Sequence, residues 1–297
     1  MKEVVIVSGK GGVGKSSLTA SIGAILAEKY KMVLADTDVD APNLHLVLGG
    51  EPESTEDIKA SDKASIDYDL CSGCMTCVDT CKFSSIIGED EPVLISYSCE
   101  GCGACTITCP ENAIEVKSVA NGKLNFFYAT NIRVVSGELN IGESSSGHLV
   151  DVVKRRARQE VEKVDADLML TDGPPGIGCP VIASLKGADY VLLVTEPTPT
   201  GLHDLKRVIQ VADFFKVPMG VVINKSDIHE PTRKVVRKYI NDNNFDMLGE
   251  IPYDKTLPLS LAEGKLAVTA YPTSPGSIAI MEVTDKVDTI ISRMEES

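Results

Sequence analysis

Ser8-Gly9-Lys10-Gly11-Gly12-Val13-Gly14-Lys15-Ser16-Ser17 is the stretch whose reading decides the fold. It follows the apolar run Val4-Val5-Ile6-Val7 and opens a segment with apolar residues at Leu18, Ile22, Ile25 and Leu26, so the order is strand, glycine loop, helix. Glycines let successive backbone N–H groups turn into one cavity, the helix N-terminus adds partial positive charge, and Lys15 adds a full one. A nucleotide phosphate tail suits such a cradle, built from Gly11, Gly12, Val13, Gly14, Lys15, Ser16 and Ser17. The Ser16 hydroxyl, next to the lysine, is placed to ligate the Mg²⁺ that accompanies such phosphates.

Outward from the loop, the first helix is expected to end near Tyr30-Lys31, and Met32-Val33-Leu34-Ala35 is a second buried strand. It delivers Asp36, Asp38 and Asp40. In an open α/β sheet ligands sit beyond the carboxyl ends of the strands, so these acids come up beside the phosphate loop, where metal and water need them. One of the three is expected only to cap the short helix suggested by Leu44-His45-Leu46-Val47-Leu48. Farther on, Leu168-Met169-Leu170-Thr171-Asp172 is an apolar strand ending in aspartate, followed by Gly173-Pro174-Pro175-Gly176. This Asp is similar to the one with which P-loop proteins hold Mg²⁺ through water, and the stiff turn after it resembles a switch that senses a terminal phosphate. Tyr190-Val191-Leu192-Leu193-Val194 and Met219-Gly220-Val221-Val222-Ile223 are further buried strands, the second capped by Asn224-Lys225-Ser226-Asp227. Strand patterns also occur at Leu124-Asn125-Phe126-Phe127-Tyr128 and Arg133-Val134-Val135. A polar loop from Gly137 to Gly147 follows, its Ser144-Ser145-Ser146 serving as N-cap residues for a helix to about Val161. The last helix, about Ser277 to Met294, carries a core stripe of Ile280, Val283, Val287, Ile290, Ile291 and Met294. This alternation predicts an α/β fold with a doubly wound, mainly parallel sheet.

With 297 residues, 43% of them hydrophobic, the chain can bury one large domain and something smaller. No run approaches the roughly 20 apolar residues of a membrane span. Strand-like residues from Glu3 leave no room for a signal peptide, so the expectation is a cytoplasmic protein. A net charge of −14 argues against nucleic-acid binding and against attachment to anionic lipid, which both demand clustered Lys and Arg. The one basic run, Lys154-Arg155-Arg156-Ala157-Arg158, reads as a solvated helix face.

Residues Glu51 to Asp69 are acidic and poor in large apolar side chains, and are expected to form a linker. They lead to Cys71-x-x-Cys74-x-x-Cys77-x-x-x-Cys81 and then to Cys99-x-x-Cys102-x-x-Cys105-x-x-x-Cys109-Pro110, an internal repeat of a four-cysteine run. Nine cysteines with no export signal point to metal rather than disulfides. Paired Cys-x-x-Cys units also suit Zn²⁺, but two runs of four at this spacing resemble the bacterial dicluster ferredoxins from about Ser65 to Val116. The resemblance implies two [4Fe–4S] clusters, one on Cys71, Cys74, Cys77 and Cys109, the other on Cys99, Cys102, Cys105 and Cys81. Lys82 stands where such runs usually carry proline, and reads as a solvent-facing lysine.

Lys10 sharpens the opening stretch. Gly-Lys-Gly-Gly-Val-Gly-Lys-Ser-Ser resembles the deviant Walker A loop of the MinD, ParA, Mrp and nitrogenase iron protein superfamily. The resemblance extends to Asp38 in a first switch, Asp172 with its Gly-Pro-Pro-Gly in a second, and Asn224, and covers residues 1 to about 56 and 118 to 297. The whole chain is similar to superfamily members carrying an inserted α+β bacterial-type ferredoxin domain, with expected boundaries 1–59, 60–117 and 118–297. This likeness implies a nucleotide-dependent homodimer using ATP/ADP and Mg²⁺. Lys10 would stabilise transferring charge across the dimer, Lys15 would hold the phosphates of its own subunit, and Asp38 would orient the attacking water. Ser16 and Asp172 would manage Mg²⁺, with Asp36 the alternative acid; Asn224 would bond the adenine and the loop at Pro252 would pack on it. Cys179, outside the repeats, reads as a buried or redox-sensitive thiol.

Three functions follow from the likeness. The first is an ATPase whose dimer cycle gates electron transfer through the clusters to a redox or metalloprotein partner. The second is an Fe–S cluster carrier or metalloenzyme maturation factor. The third, a MinD- or ParA-like positioning ATPase, is disfavoured by the acidic end Arg293-Met294-Glu295-Glu296-Ser297, which offers no basic amphipathic membrane anchor.

Overall fold

The computed structural model describes residues 1–50, 52–129, 131–143 and 147–295. β1 (Lys2–Ser8) carries Val4 to Val7 fully buried, because both faces of the sheet are covered. Each such side chain contributes about 1.5–3 kcal/mol when removed from water, so a short strand can anchor the centre of the molecule. After the glycine loop, α1 (Lys15–Leu26) starts from Gly14, whose φ of 90° disfavours any residue with a Cβ. The helix ends at Leu26 and only turns continue to Tyr30, four residues short of the expected end. β2 (Met32–Asp36), α2 (Leu44–Leu48) and β3 (Pro52–Ile58) follow.

The expected linker is largely strand: β3, then β4 (Ser61–Ile66). Its polarity hid it because β3 is the last strand of the sheet and its residues 52–57 are exposed, so no apolar alternation is required. The cysteine region holds α3 (Thr76–Thr80), β5 (Ile86–Ile87), β6 (Val93–Leu94), α4 (Ala104–Thr108) and β7 (Ile114–Val119). The chain then forms β8 (Gly122–Ala129), β9 (Ile132–Leu139), α5 (Gly147–Val164), β10 (Leu168–Pro175), α6 (Cys179–Leu185), β11 (Tyr190–Thr195) and α7 (Pro199–Phe214). It closes with β12 (Met219–Ile223), α8 (Glu230–Asp242), β13 (Asp246–Glu250), α9 (Thr256–Ala262), α10 (Ala267–Ala270) and α11 (Pro275–Glu295).

Nine strands form one sheet in the order β13-β12-β11-β1-β10-β2-β9-β8-β3, with all neighbours from β13 to β9 parallel. β8 and β9 are too close in sequence for anything but antiparallel neighbours. Alternate residues of β1 feed opposite cores. Val4 and Ile6 pack with α1 and α11, whereas Val5 and Val7 pack with residues of α6, α7 and α8. That two-sided burial is the doubly wound arrangement expected from the apolar runs.

The chain divides into two compact units, Met1–Thr55 with Leu124–Glu138 and Ser146–Ser297, and Glu56–Lys123 with Leu139–Ser145. The second is wider than the 60–117 expected. Asn121 extends it, since its N–H reaches Ile58 O at 3.0 Å and its Oδ1 accepts from Ala60 N at 2.9 Å. The front of the polar loop joins it through Lys63–Glu143 at 3.0 Å and Asn140 N to Asn121 O at 3.0 Å. The expected capping serines 144–146 lie outside the described residues, as do the last two residues of the chain. Inside this unit β4 pairs with β7 and β5 with β6, both antiparallel. Among the described residues, no helix is long and apolar enough to cross a membrane.

Candidate functional site

Strand register assembles the nucleotide site. Ile6 pairs with Asp172 and Asp172 with Asp36, so the loops after β1, β2 and β10 emerge side by side at the carboxyl end of the sheet. They border a cleft of about 690 Å³ lined by Gly11, Gly12, Gly14, Lys15, Ser16, Ser17, Asp38, Asp40, Pro174 and Pro175, among others. Gly14 is required twice over, by its φ and because a Cβ there would come to 2.3 Å of Asn224 Nδ2.

Lys15 is buried, and its Nζ lies 2.8 Å from Asp172 Oδ1, 3.6 Å from Asp38 Oδ2 and 3.5 Å from Ser16 Oγ. Burial works to lower its pKa, but Asp172, Asp38 and Asp36 outweigh that and raise it. Asp172 is fully buried; Oδ1 also accepts from Thr19 Oγ1 at 3.1 Å, and Oδ2 has no partner among the described residues. This orphaned carboxylate oxygen and the Ser16 hydroxyl are oxygen donors of the kind that a hydrated Mg²⁺ accepts. Asp36 is differently employed. Its Oδ1 accepts from Asp38 N at 3.2 Å, and its Oδ2 from Asn43 N at 3.0 Å and Leu44 N at 3.1 Å, so this is the acid that caps α2. Burial raises its pKa, with Asp172 adding to the effect. Burial likewise raises Asp38, to about 6, Lys15 pulling against it.

A second cavity of about 300 Å³ is lined by Gly14, Ser17, Leu18, Asn224, Lys225, Pro252, Tyr253 and Leu257, among others. Asn224 and Pro252 therefore share one pocket. The Asn224 amide is partly committed, donating from Nδ2 to Val13 O at 2.7 Å and accepting from Lys225 N at 2.9 Å through Oδ1. Lys225 Nζ donates to Gly12 O at 3.1 Å, and Asp227 Oδ1 accepts from Tyr253 N at 2.7 Å, fixing the loop that walls the pocket. Four contacts were not foreseen: Thr19 Oγ1 to Asp172 Oδ1 at 3.1 Å, Thr37 Oγ1 to Asp172 O at 2.9 Å, Thr37 Oγ1 with Ser184 Oγ at 3.1 Å, and Lys10 Nζ to Glu196 Oε1 at 3.0 Å. Only Glu196 had a signal, an acid directly after an apolar strand at the carboxyl end of the sheet. The basic run is not a solvated face: Lys154 is buried against Glu3 at 2.6 Å, and burial lowers its pKa.

The eight repeat cysteines gather in two sets. One small cavity is lined by Cys71, Cys74, Cys77 and Cys109, another by Cys81, Cys99, Cys102 and Cys105, so the fourth cysteine of each run crosses to the other set. The backbone repeats with the sequence: Gly73 and Gly101, Met75 and Gly103, and Ser84 and Asn112 all have positive φ. Cys77 and Cys105, one residue into α3 and α4, are buried, and Cys74 and Cys102 are exposed. Cys81 Sγ accepts from Ser85 N and Cys109 Sγ from Ala113 N, each at 3.3 Å, while Cys99 Sγ accepts from Ala64 N and Gly101 N at 3.4 Å. At Cys81 burial pushes the thiol up, but the surrounding N–H groups more than offset it. Among the described residues, no three His, Cys, Asp or Glu converge on a point where they could hold a single metal ion. Cys179, first residue of α6, is exposed rather than buried, and Lys82 is exposed.

Residues 4–268 match the CobQ/CobB/MinD/ParA nucleotide binding domain. The chain belongs to that family. Its likeness extends to the uncharacterized protein MJ0578 of Methanocaldococcus jannaschii, 33% identical over 293 residues that cover 97% of both chains. It is also similar to the iron-sulfur cluster carrier protein of Pyrococcus horikoshii, at 22% over 316 residues, covering 99% of this chain and 87% of that one. Among solved structures, the septum site-determining protein MinD of Pyrococcus horikoshii, complexed with Mg-ADP, shares the fold of the nucleotide unit. Its TM-score is 0.58 at 20% identity, covering 97% of this chain and 96% of that one.

Proposed function

We propose that the chain is an ATP-hydrolysing iron–sulfur protein whose nucleotide-dependent dimer cycle gates electron transfer through two [4Fe–4S] clusters to a redox or metalloprotein partner. The observation that carries this reading is the crossing of Cys81 and Cys109 between two four-cysteine sets in a chain that also holds a complete phosphate loop. Bound in these sets, the clusters would supply one-electron chemistry. The protein's share is to present eight thiols, with backbone N–H groups aimed at Cys81, Cys99 and Cys109 to stabilise charge on sulfur. At the nucleotide site, Lys15 balances phosphate charge, Ser16 and Asp172 hold the metal shell, and Asp38 orients water. Lys10 serves the nucleotide of a second subunit. A route for coupling is supported by Thr37, which bonds Asp172 O and Ser184, and by Lys154, which donates to Ser184 O and Lys186 O. These bonds tie both switches to α5, and the chain segment just before α5 belongs to the cysteine-bearing unit.

The similarity to an iron-sulfur cluster carrier favours a second reading, in which a cluster is cargo. The two differ in iron retention. With ⁵⁵Fe-loaded protein turning over ATP beside an apo-acceptor, resident clusters leave the label on this chain. ATP-dependent passage of label to the acceptor would replace the first reading by the second.

A further inference from the structure

Lys10 already has a partner in its own subunit. Its Nζ lies 3.0 Å from Glu196 Oε1, and Lys225 Nζ lies 3.3 Å from Oε2 of the same carboxylate. Glu196 is buried and follows β11 directly. The backbone around this triad has little room to shift. A Cβ at Gly9 would meet Asp204 O at 2.3 Å, and one at Gly201 would meet Glu196 O at 2.4 Å. Ser8 Oγ donates to Lys10 O at 2.8 Å, and Thr198 Oγ1, the cap of α7, accepts from Gly201 N at 2.9 Å. What remains free to move is the Lys10 side chain, which is 43% exposed.

The two lysines differ in how they are held. Lys225 is anchored a second time on Gly12 O, whereas among the described residues Lys10 Nζ pairs with Glu196 alone. A buried carboxylate stripped of every cation is costly, because nothing replaces its lost hydration. With Lys225 fixed on Oε2, Glu196 stays paired when Lys10 departs, so departure forfeits only one half-exposed ion pair. A polyphosphate carries more negative charge than one carboxylate, so it can draw the lysine off.

We propose that Glu196 is a positioning residue that holds Lys10 inside its own subunit until a second, nucleotide-loaded subunit claims the lysine, with Lys225 left behind as the counter-charge. This rests on the reading that Lys10 acts across the dimer. The contact makes subunit pairing compete with an internal ion pair and so raises the protein concentration at which hydrolysis switches on.

The test is ATPase activity per subunit over a protein-concentration series, with ADP affinity measured in parallel, for cluster-loaded wild type, Glu196→Gln, Glu196→Asp and Lys10→Ala. In Glu196→Gln the half-maximal protein concentration is expected to fall roughly fivefold, the combined size of the two half-exposed ion pairs that a dimer releases, with KM for ATP and the saturating rate close to wild type. Glu196→Asp, one methylene shorter, shifts less in the same direction, and it serves as the test if the glutamine variant no longer binds ADP. An unchanged or raised half-maximal concentration in a variant that binds ADP overturns the proposal. Normal hydrolysis in Lys10→Ala would instead sink the two-subunit reading. A dead Lys10→Ala beside an unshifted Glu196→Gln sinks the Glu196 proposal alone.

Discussion

Cys109 and Cys71 belong to different runs yet line one cavity, and Cys81 and Cys99 line the other. That crossing makes a prediction about single residues. Cys71→Ser and Cys109→Ser should each lower bound iron from about eight to about four atoms per chain, and the double variant should lose no more. Cys81→Ser should remove the other four. Iron and sulfide analysis of anaerobically purified variants checks this, and a Cys71/Cys109 double that loses all iron would refute the assignment. That the loop glycines, Lys15 and the acids after β2 would border one cleft was legible from their places at the carboxyl ends of apolar strands. Asp36 illustrates the limit. Sequence placed Asp36, Asp38 and Asp40 beside the loop, but only the geometry shows that both oxygens of Asp36 are taken by backbone N–H groups, whereas Asp172 Oδ2 has no partner among the described residues.

Between elements, the cavity proposed to take the base depends on how the loop after β13 is tied to α11. Asp254 does this, with Oδ1 accepting from Thr256 N at 2.9 Å and Oδ2 from Gly276 N at 2.8 Å. Burial pushes this carboxyl up, but the N–H groups and the Thr256 and Ser274 hydroxyls prevail and hold it at about 2. A depressed carboxylate stabilises the fold above its unfolded pKa near 4, and that stabilisation is lost as pH falls through about 2. Because the group is only part-buried and solvent screens it, its share is about 1 kcal/mol. Asp254→Asn should therefore lower urea stability by about that amount at pH 7 and by much less at pH 2, with a raised KM for ATP since Asp254 lines the pocket. Equal destabilisation at both pH values would contradict the assignment. At this scale the buried strands were readable because both faces are covered. β3 was not, since an exposed edge strand such as Pro52–Ile58 needs no apolar pattern. The Lys154–Glu3 pair escaped for the opposite reason: a basic run on a helix gives no sign that one member turns inward to a partner on β1.

For the molecule as a whole, the cysteine repeat drew attention to residues 60–117, whereas the compact unit that holds the cysteines takes in Glu56–Lys123 and Leu139–Ser145. Residues 139–145 join it only through contacts such as Lys63–Glu143, which link positions far apart in sequence. In sequence, α5 follows residues 139–143 of the cysteine-bearing unit, and Lys154 fastens α5 to the end of α6. Nucleotide state should then be felt at the cysteine sets as a change in the energy of the reduced form. As a control, Lys154→Met should weaken that response while leaving ADP binding within about twofold, because Lys154 lies away from the nucleotide cleft. An undiminished response would remove α5 from the route. The most direct measurement is the reduction potential of the cluster-loaded protein, titrated anaerobically with ADP and with a non-hydrolysable ATP analogue. The account predicts different potentials in the two states; identical potentials, with identical rates of electron transfer to an acceptor, would contradict it.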